Sequence, residues 1–391
     1  MKYVTFGCLG LIALAACAAD GISADTPPPD PGDEPGGSEI PLTDAGPADG
    51  DAYPDVERPL VCGKTGFCET KLPLSELGAP PSLRSIWVVA SNDVWSVSAE
   101  GSILHYDGTS WTTSSQSNHE LHSVWATETD VWVGGERGLL LHWTTGGGWT
   151  QVETGHLKDI RGIYGTGASD VWFGRDGAVD HFDGSTMTSH ALEIPGLQVK
   201  ALFGRPGFGT YAAYAEGCVE CGGDATSRPY LFELTPDGAA RFNTALSTKW
   251  NFFPLSGVVS DRPEDEGRVF LFGYAKAYFG WTLRFASFGK ETAPIELKSL
   301  KDMHGSDIYL FDPNFAEYPP PPLLPAWGNE GNDIRVQHAI GMGHRWNGTD
   351  FTTQAIDMGY DFVPRKVFAV HGNASDTWIV GDGFALKGPT R

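Results

Sequence analysis

Basic residues are scarce in this chain: 27 Lys and Arg stand against 49 Asp and Glu, a formal net charge of −22 over 391 residues. A partner with a phosphate backbone needs a basic footprint, so the charge argues against nucleic acid. The sequence also lacks a Gly-rich phosphate loop, a nucleophile elbow and a His-Glu-x-x-His pair. That removes the common signatures of phosphoryl transfer, serine hydrolysis and zinc proteolysis, and no cofactor or metal is expected. Past the N-terminus no run has the length of a helix. What is present is 50 Gly, 27 Pro and a 12% aromatic share, which suits many short strands joined by tight turns.

The first residues speak to compartment. Met1-Lys2 is a minimal positive region, and Val4–Ala16 is an apolar stretch too short to span a bilayer. It ends in Leu14-Ala15-Ala16-Cys17, and small residues before a cysteine resemble the lipobox of bacterial lipoproteins. That resemblance implies a signal peptide over 1–16 and acylation of Cys17; the plain alternative is an Ala-x-Ala signal peptide with an incidental cysteine. Ala18 follows, with no aspartate to suggest inner-membrane retention, so a lipid-anchored place in the cell envelope, at the outer membrane, is expected. The membrane is then met only through the N-terminal lipid.

Residues 17–58 form a tether rich in Pro, Gly and Asp, with 11 acidic residues against one basic between Ala18 and Arg58. Such a segment buries too little apolar surface to offset its ordering entropy, so it is expected to be disordered. At roughly 3.3 Å per residue its greatest reach is about 130 Å. Four cysteines remain beyond it, as the close pairs Cys62/Cys68 and Cys218/Cys221. In an oxidising compartment each pair reads as a local disulfide.

From Leu83 the chain repeats itself. One copy reads Leu83-Arg-Ser-Ile-Trp87, Asp93-Val-Trp95, Gly101-Ser-Ile-Leu-His-Tyr-Asp-Gly108, Trp111. The second reads Leu121-His-Ser-Val-Trp125, Asp130-Val-Trp132, Gly138-Leu-Leu-Leu-His-Trp143, Trp149, and the third runs from Ile160 through Asp170-Val-Trp172 to Gly184. Their starts lie 38 and 39 residues apart. Weaker copies begin near Val199, Leu255 and Leu297 (with Asp307-Ile-Tyr309), and a last one near Arg365. Four short runs per roughly 40 residues, repeated seven times, predict an all-β, seven-bladed β-propeller with four-stranded blades over 59–391. A twisted sandwich of the same strands is the other fold considered. The last copy stops after three strands, at Phe384–Lys387, and Phe67–Leu72 is available as its outer strand. That segment would close the ring, with Cys62–Cys68 pinning it.

The recurring aspartates Asp93, Asp130, Asp170, Asp307 and Asp376 are expected to accept backbone N–H groups in a repeated turn. As one per blade they offer no carboxylate pair for glycoside cleavage. His105, His142 and His181 occupy one position in three consecutive copies. They point around a ring rather than converging on a metal, so hydrogen bonds between blades are expected. Two insertions, Glu216–Arg228 and Pro313–Arg335, are assigned to the loop between second and third strands of blades four and six. The longer carries Phe315, Tyr318, a Pro319–Pro322 run and Trp327, read either as an outward ligand face or as a plug folded over the channel.

The Asp-Val-Trp, Gly-x-Ile-Leu-His-Tyr-Asp-Gly, Trp pattern resembles the repeat of propeller lipoproteins common in myxobacteria. It is more distantly similar to Asp-box propellers and to photosystem II assembly-factor-like propellers. The resemblance covers 67–388 and implies a fold more than a function. The expectation is a monomeric, non-catalytic binding or scaffolding propeller whose partner is an envelope protein or polysaccharide. The alternative is a carbohydrate-active propeller enzyme, a glycosidase or lyase.

Overall fold

The computed structural model of the protein describes residues 62–216, 229–241, 252–260, 267–277, 280–289, 297–300, 305–306, 309–310, 325–330, 333–337, 342–347, 351–355 and 366–390. Among them, seven antiparallel sheets form a ring of blades. Blade one is Leu83–Ala90, Asp93–Ser98, Ser102–Tyr106 and Trp111–Gln116, counted from the inner strand outward. Blade two begins at Leu121–Ala126, blade three at Gly162–Gly167, blade four at Leu197–Arg205 and blade five at Phe252–Val259. Blade six is Ala326–Glu330, Asp333–Gln337, Met342–Trp346 and Phe351–Ala355.

Blade seven is closed as the sequence suggested. Its inner three strands, Val367–Gly372, Asp376–Gly381 and Phe384–Pro389, take Cys68–Glu69 as their outer strand. Cys68 pairs with Lys387 and Glu69 with Leu386, and a Cys62–Cys68 disulfide pins the segment. Thr70 extends the pairing by donating to Ala385 O at 2.9 Å, and Trp111 Nε1 of blade one donates to Thr70 Oγ1 at 3.0 Å. Each blade buries both faces against its neighbours. Trp95 and Val97, for example, sit in one cluster with Leu121, Val124 and Val133 of blade two. Burying a side chain of that size contributes about 1.5–3 kcal/mol, which is why the runs are apolar on both faces.

The strand after each Asp-x-Trp is held by a clamp within the blade. Trp95 faces His105 across the second and third strands, Trp132 faces His142 and Trp172 faces His181. Each imidazole stacks on its indole, at 4.3, 3.8 and 4.0 Å between centroids. Each Nε2 meets the Asp Oδ1 of its own copy, at 2.9 Å for Asp93 and Asp130 and 2.8 Å for Asp170. The histidines thus bond within blades and not between them, because strand register sets each one opposite its own tryptophan. Asp93, Asp130 and Asp170 likewise accept imidazole rather than turn N–H groups, Asp376 meets Lys387 at 3.4 Å, and Asp93 and Asp170 also accept their Trp Nε1–H. The Asx turns lie elsewhere, at Asp107-Gly108 and Asp183-Gly184. Thr109 and Ser110 donate backbone N–H to Asp107 Oδ1 at 2.8 Å, and Gly108 has a φ of +98°.

The sequence register fails at blade six. Leu297–Ser299 is the outer strand of blade five, and Tyr309–Leu310 pairs with that blade's third strand. Blade six begins at Ala326, so Pro313–Arg335 is not a loop between its second and third strands. The error has a cause: the true clamp reads Asp333-Ile-Arg335 with Arg345 facing Arg335, and Arg345 Nε donates to Asp333 at 2.7 Å. Arginine replaces both members of the Trp/His signature. Asp307 lies outside the described residues.

Candidate functional site: the axial mouth

The inner strands converge on a cavity of about 440 Å³ lined by all seven blades, well within the size range of small-molecule sites. Alternating strand direction puts the second-to-third turns and the outer-to-inner crossings on one face, here called upper. Inner strands descend from it. Near their upper ends the register shifts by one residue at Arg84, His122, Leu255 and Phe368, and these four side chains line the cavity together with Arg161. A bulge re-aims the extra residue, which explains why polar and aromatic groups reach the axis at one level.

The charges at this mouth alternate. Arg84 Nε lies 2.9 Å from Glu120 Oε1, and its guanidinium stands 4.5 Å over the Phe368 ring. His122 sits between Glu120 and Asp159, 3.9 Å from each, and Arg161 contacts Asp159 at 2.8 Å. Burial, reinforced by Arg161, pushes the His122 imidazole below its ordinary pKa against the pull of Glu120, Asp159 and Glu136. One layer down, Ser85 Oγ accepts Val124 N–H at 3.3 Å and Ser123 Oγ accepts Ile163 N–H at 2.9 Å. These bonds stitch adjacent inner strands.

Below them lies an aromatic collar. The residues facing the second-strand aromatic, or Arg335, in each blade are Trp87, Trp125, Tyr164, Phe203, Val258, Trp327 and His371. Trp87 stacks on His371 at 4.1 Å and meets Trp125 at 6.2 Å and Tyr164 at 6.1 Å, while Trp327 and His371 are 5.8 Å apart. Most collar residues press on a glycine of the next blade. A Cβ at Gly165 would lie 2.7 Å from Trp125, one at Gly204 2.6 Å from Tyr164, and one at Gly372 2.9 Å from Trp327. Arg205 closes the lower end by donating to Val259 O at 3.0 Å and Gly328 O at 2.6 Å.

His371 Nδ1 accepts Val88 N–H at 3.0 Å, so the neutral ring carries its proton on Nε2. Burial drives its pKa down to about 3, and burial pushes the Tyr164 hydroxyl well above its ordinary range. Near pH 7 both groups are therefore neutral, and each keeps a proton to donate.

Trp327 is consequently not an outward anchor. It is 9% exposed, in the inner strand of blade six, as one member of the collar. Phe315, Tyr318, Cys17, Cys218 and Cys221 lie outside the described residues. The collar itself escaped sequence reading, although a signal existed: an aromatic ring followed by glycine recurs as Tyr164-Gly165, Phe203-Gly204, Trp327-Gly328 and His371-Gly372. The dipeptide also occurs outside the collar, at Phe173-Gly174, Phe208-Gly209 and Phe272-Gly273, so it does not by itself single the collar out.

No protein-family model matches the chain, and no curated protein matches it by sequence. Among solved structures, YCF48 bound to D1 peptide is similar at a TM-score of 0.56 and 13% identity, covering 83% of this chain and 97% of that one. Virginiamycin B lyase from Staphylococcus aureus is similar at 0.57 and 11%, covering 82% and 98%. The WD40 propeller of Doa1 is similar at 0.55 and 13%, covering 83% and 96%. At such identities the likeness is one of fold, and that fold is the β-propeller.

Proposed function

We propose that this chain is a binding propeller that works without catalysis, carried at the cell envelope by a lipid on Cys17, with the axial mouth as its receptor surface. The observation that carries the reading is the chemistry of the mouth. Glu120 and Asp159 are each within 4 Å of an arginine, so they are engaged as structural partners and do not form the free carboxylate pair that glycoside cleavage uses. A polysaccharide lyase is the second reading, favoured by Tyr164 and His371 beside the axis. Acid–base catalysis wants groups that titrate near the working pH. Here one group is held up and the other down to about 3, which favours binding. That the YCF48 propeller is seen with a peptide supports the same class of role.

The test is co-purification from solubilised envelope with the full chain, a Cys17→Ser variant and an Arg84→Ser/Arg161→Ser variant. Cys17→Ser should move to the soluble fraction and keep its envelope protein or polysaccharide. The arginine variant should stay with the membrane and lose roughly tenfold of that partner, as loss of a central contact does. Reducing ends or unsaturated uronates released from polysaccharide would contradict the reading.

A further inference from the structure

The cavity beneath the mouth is unusual in the balance of its polar groups. The Trp87 and Trp327 indole N–H groups, the Tyr164 hydroxyl and the His371 Nε2–H all belong to residues that line it. None of the four meets an acceptor among the described residues, and none is sealed from solvent. Ser85 and Ser123 already use their oxygens to accept backbone N–H groups, which leaves their O–H protons to donate inward. Arg84 and Arg161 add guanidinium forks at the rim. Each contacts a single carboxylate, so most of their five donors stay open. The walls between these donors are apolar: Ile86, Phe203, Val258 and Phe368.

The side chains of this lining are rich in donors, poor in acceptors and largely aromatic. A sugar brings hydroxyls that donate as readily as they accept, and half of its hydrogen bonds would go unmade here. A buried donor left without a partner costs free energy. A carboxylate only accepts, with about four lone-pair sites, and a flat apolar body satisfies the rings. We infer that the axial cavity is a binding site for a small organic anion, a carboxylate borne on a flat apolar body. The inference rests on the mouth being a receptor surface and names what that surface admits. The carboxylate sits among the collar donors, with the rim arginines above supplying a favourable field, and the apolar body extends upward along the ring of Trp87 toward Phe368.

Isothermal titration of the full chain with phenylacetate and with its neutral isostere phenylacetamide is the experiment. The acid should bind saturably and roughly tenfold or more tighter than the amide, because bonds to a charged acceptor are the strong ones. Tyr164→Phe and Trp87→Phe keep a ring and remove one donor, and each should weaken the acid about tenfold with little change for the amide. Equal binding of acid and amide, or no saturable binding of either at about 1 mM, overturns the inference. So does an unchanged acid affinity in both variants. The acid–amide comparison on the unaltered chain decides the matter even if a variant misfolds. Loss of envelope co-purification in the arginine variant together with a failed titration would remove this ligand class and leave the binding reading standing.

Discussion

Trp87 and His371 meet face to face on the axis, and the histidine serves two neighbours at once: it accepts Val88 N–H and lends its ring to the collar. Both roles need the neutral form. Its folded pKa of about 3 lies below the ordinary 6.5, so the unfolded chain binds the proton more readily. The stability this residue contributes is full above about pH 6.5 and is lost as pH falls toward 3. The melting temperature of the wild type should therefore drop more steeply below pH 6.5 than that of His371→Phe. At pH 7.5 the variant should be less stable by about 1–3 kcal/mol, having lost the acceptor for a buried N–H. His122 is shifted in the same sense and is present in both proteins, so it cancels in the comparison. Parallel pH profiles by calorimetry would contradict this account of His371.

At the scale of the strand, the clamp between second and third strands organises the blade, and its form varies with position. In blades one to three an aspartate holds a histidine stacked on tryptophan, and in blade six Asp333 holds Arg345. In blade seven Asp376 lies 3.4 Å from Lys387, whose ammonium also stands 5.6 Å over Trp378. Asp170→Ala strands both Trp172 Nε1 and His181 Nε2 and should cost about 1–3 kcal/mol. Asp376→Ala breaks a longer, partly exposed ion pair and should cost about 1 kcal/mol or less. Urea titrations give both values, and the reverse order would show that the clamp is not what holds the blade. The same variation explains what was legible in the sequence. Blades one, two, three and seven keep Asp-x-Trp, which makes them legible in the sequence. In blade four Tyr211 faces Glu233, and in blade five Phe270 faces Ser287, so no clamp signature remains to fix the register. Blade six is hard to place from sequence because Leu297 and Asp307-Ile-Tyr309 imitate a copy start while the real one carries arginines. The collar was invisible for a different reason. It is made across blades, and only the glycines that receive each ring record it in the chain.

At the scale of the molecule, the ring has two unlike ends. The closing strand and its disulfide lie toward the lower end, near Asp376 and Lys387, and Arg205 bridges the inner strands of blades four to six there. The upper end opens onto Arg84, His122 and Arg161, ringed by the crossings that carry Glu120, Leu157 and Asp159. That the upper mouth is the receptor surface is the central claim, and site-specific photo-crosslinking tests it most directly. Leu157 is 74% exposed on an upper crossing, and Phe208 is 37% exposed on a lower turn. With a photoreactive phenylalanine at either position of the envelope-borne full chain, the account predicts a discrete crosslinked partner from position 157 and none from 208. A partner captured from 208 alone would contradict it.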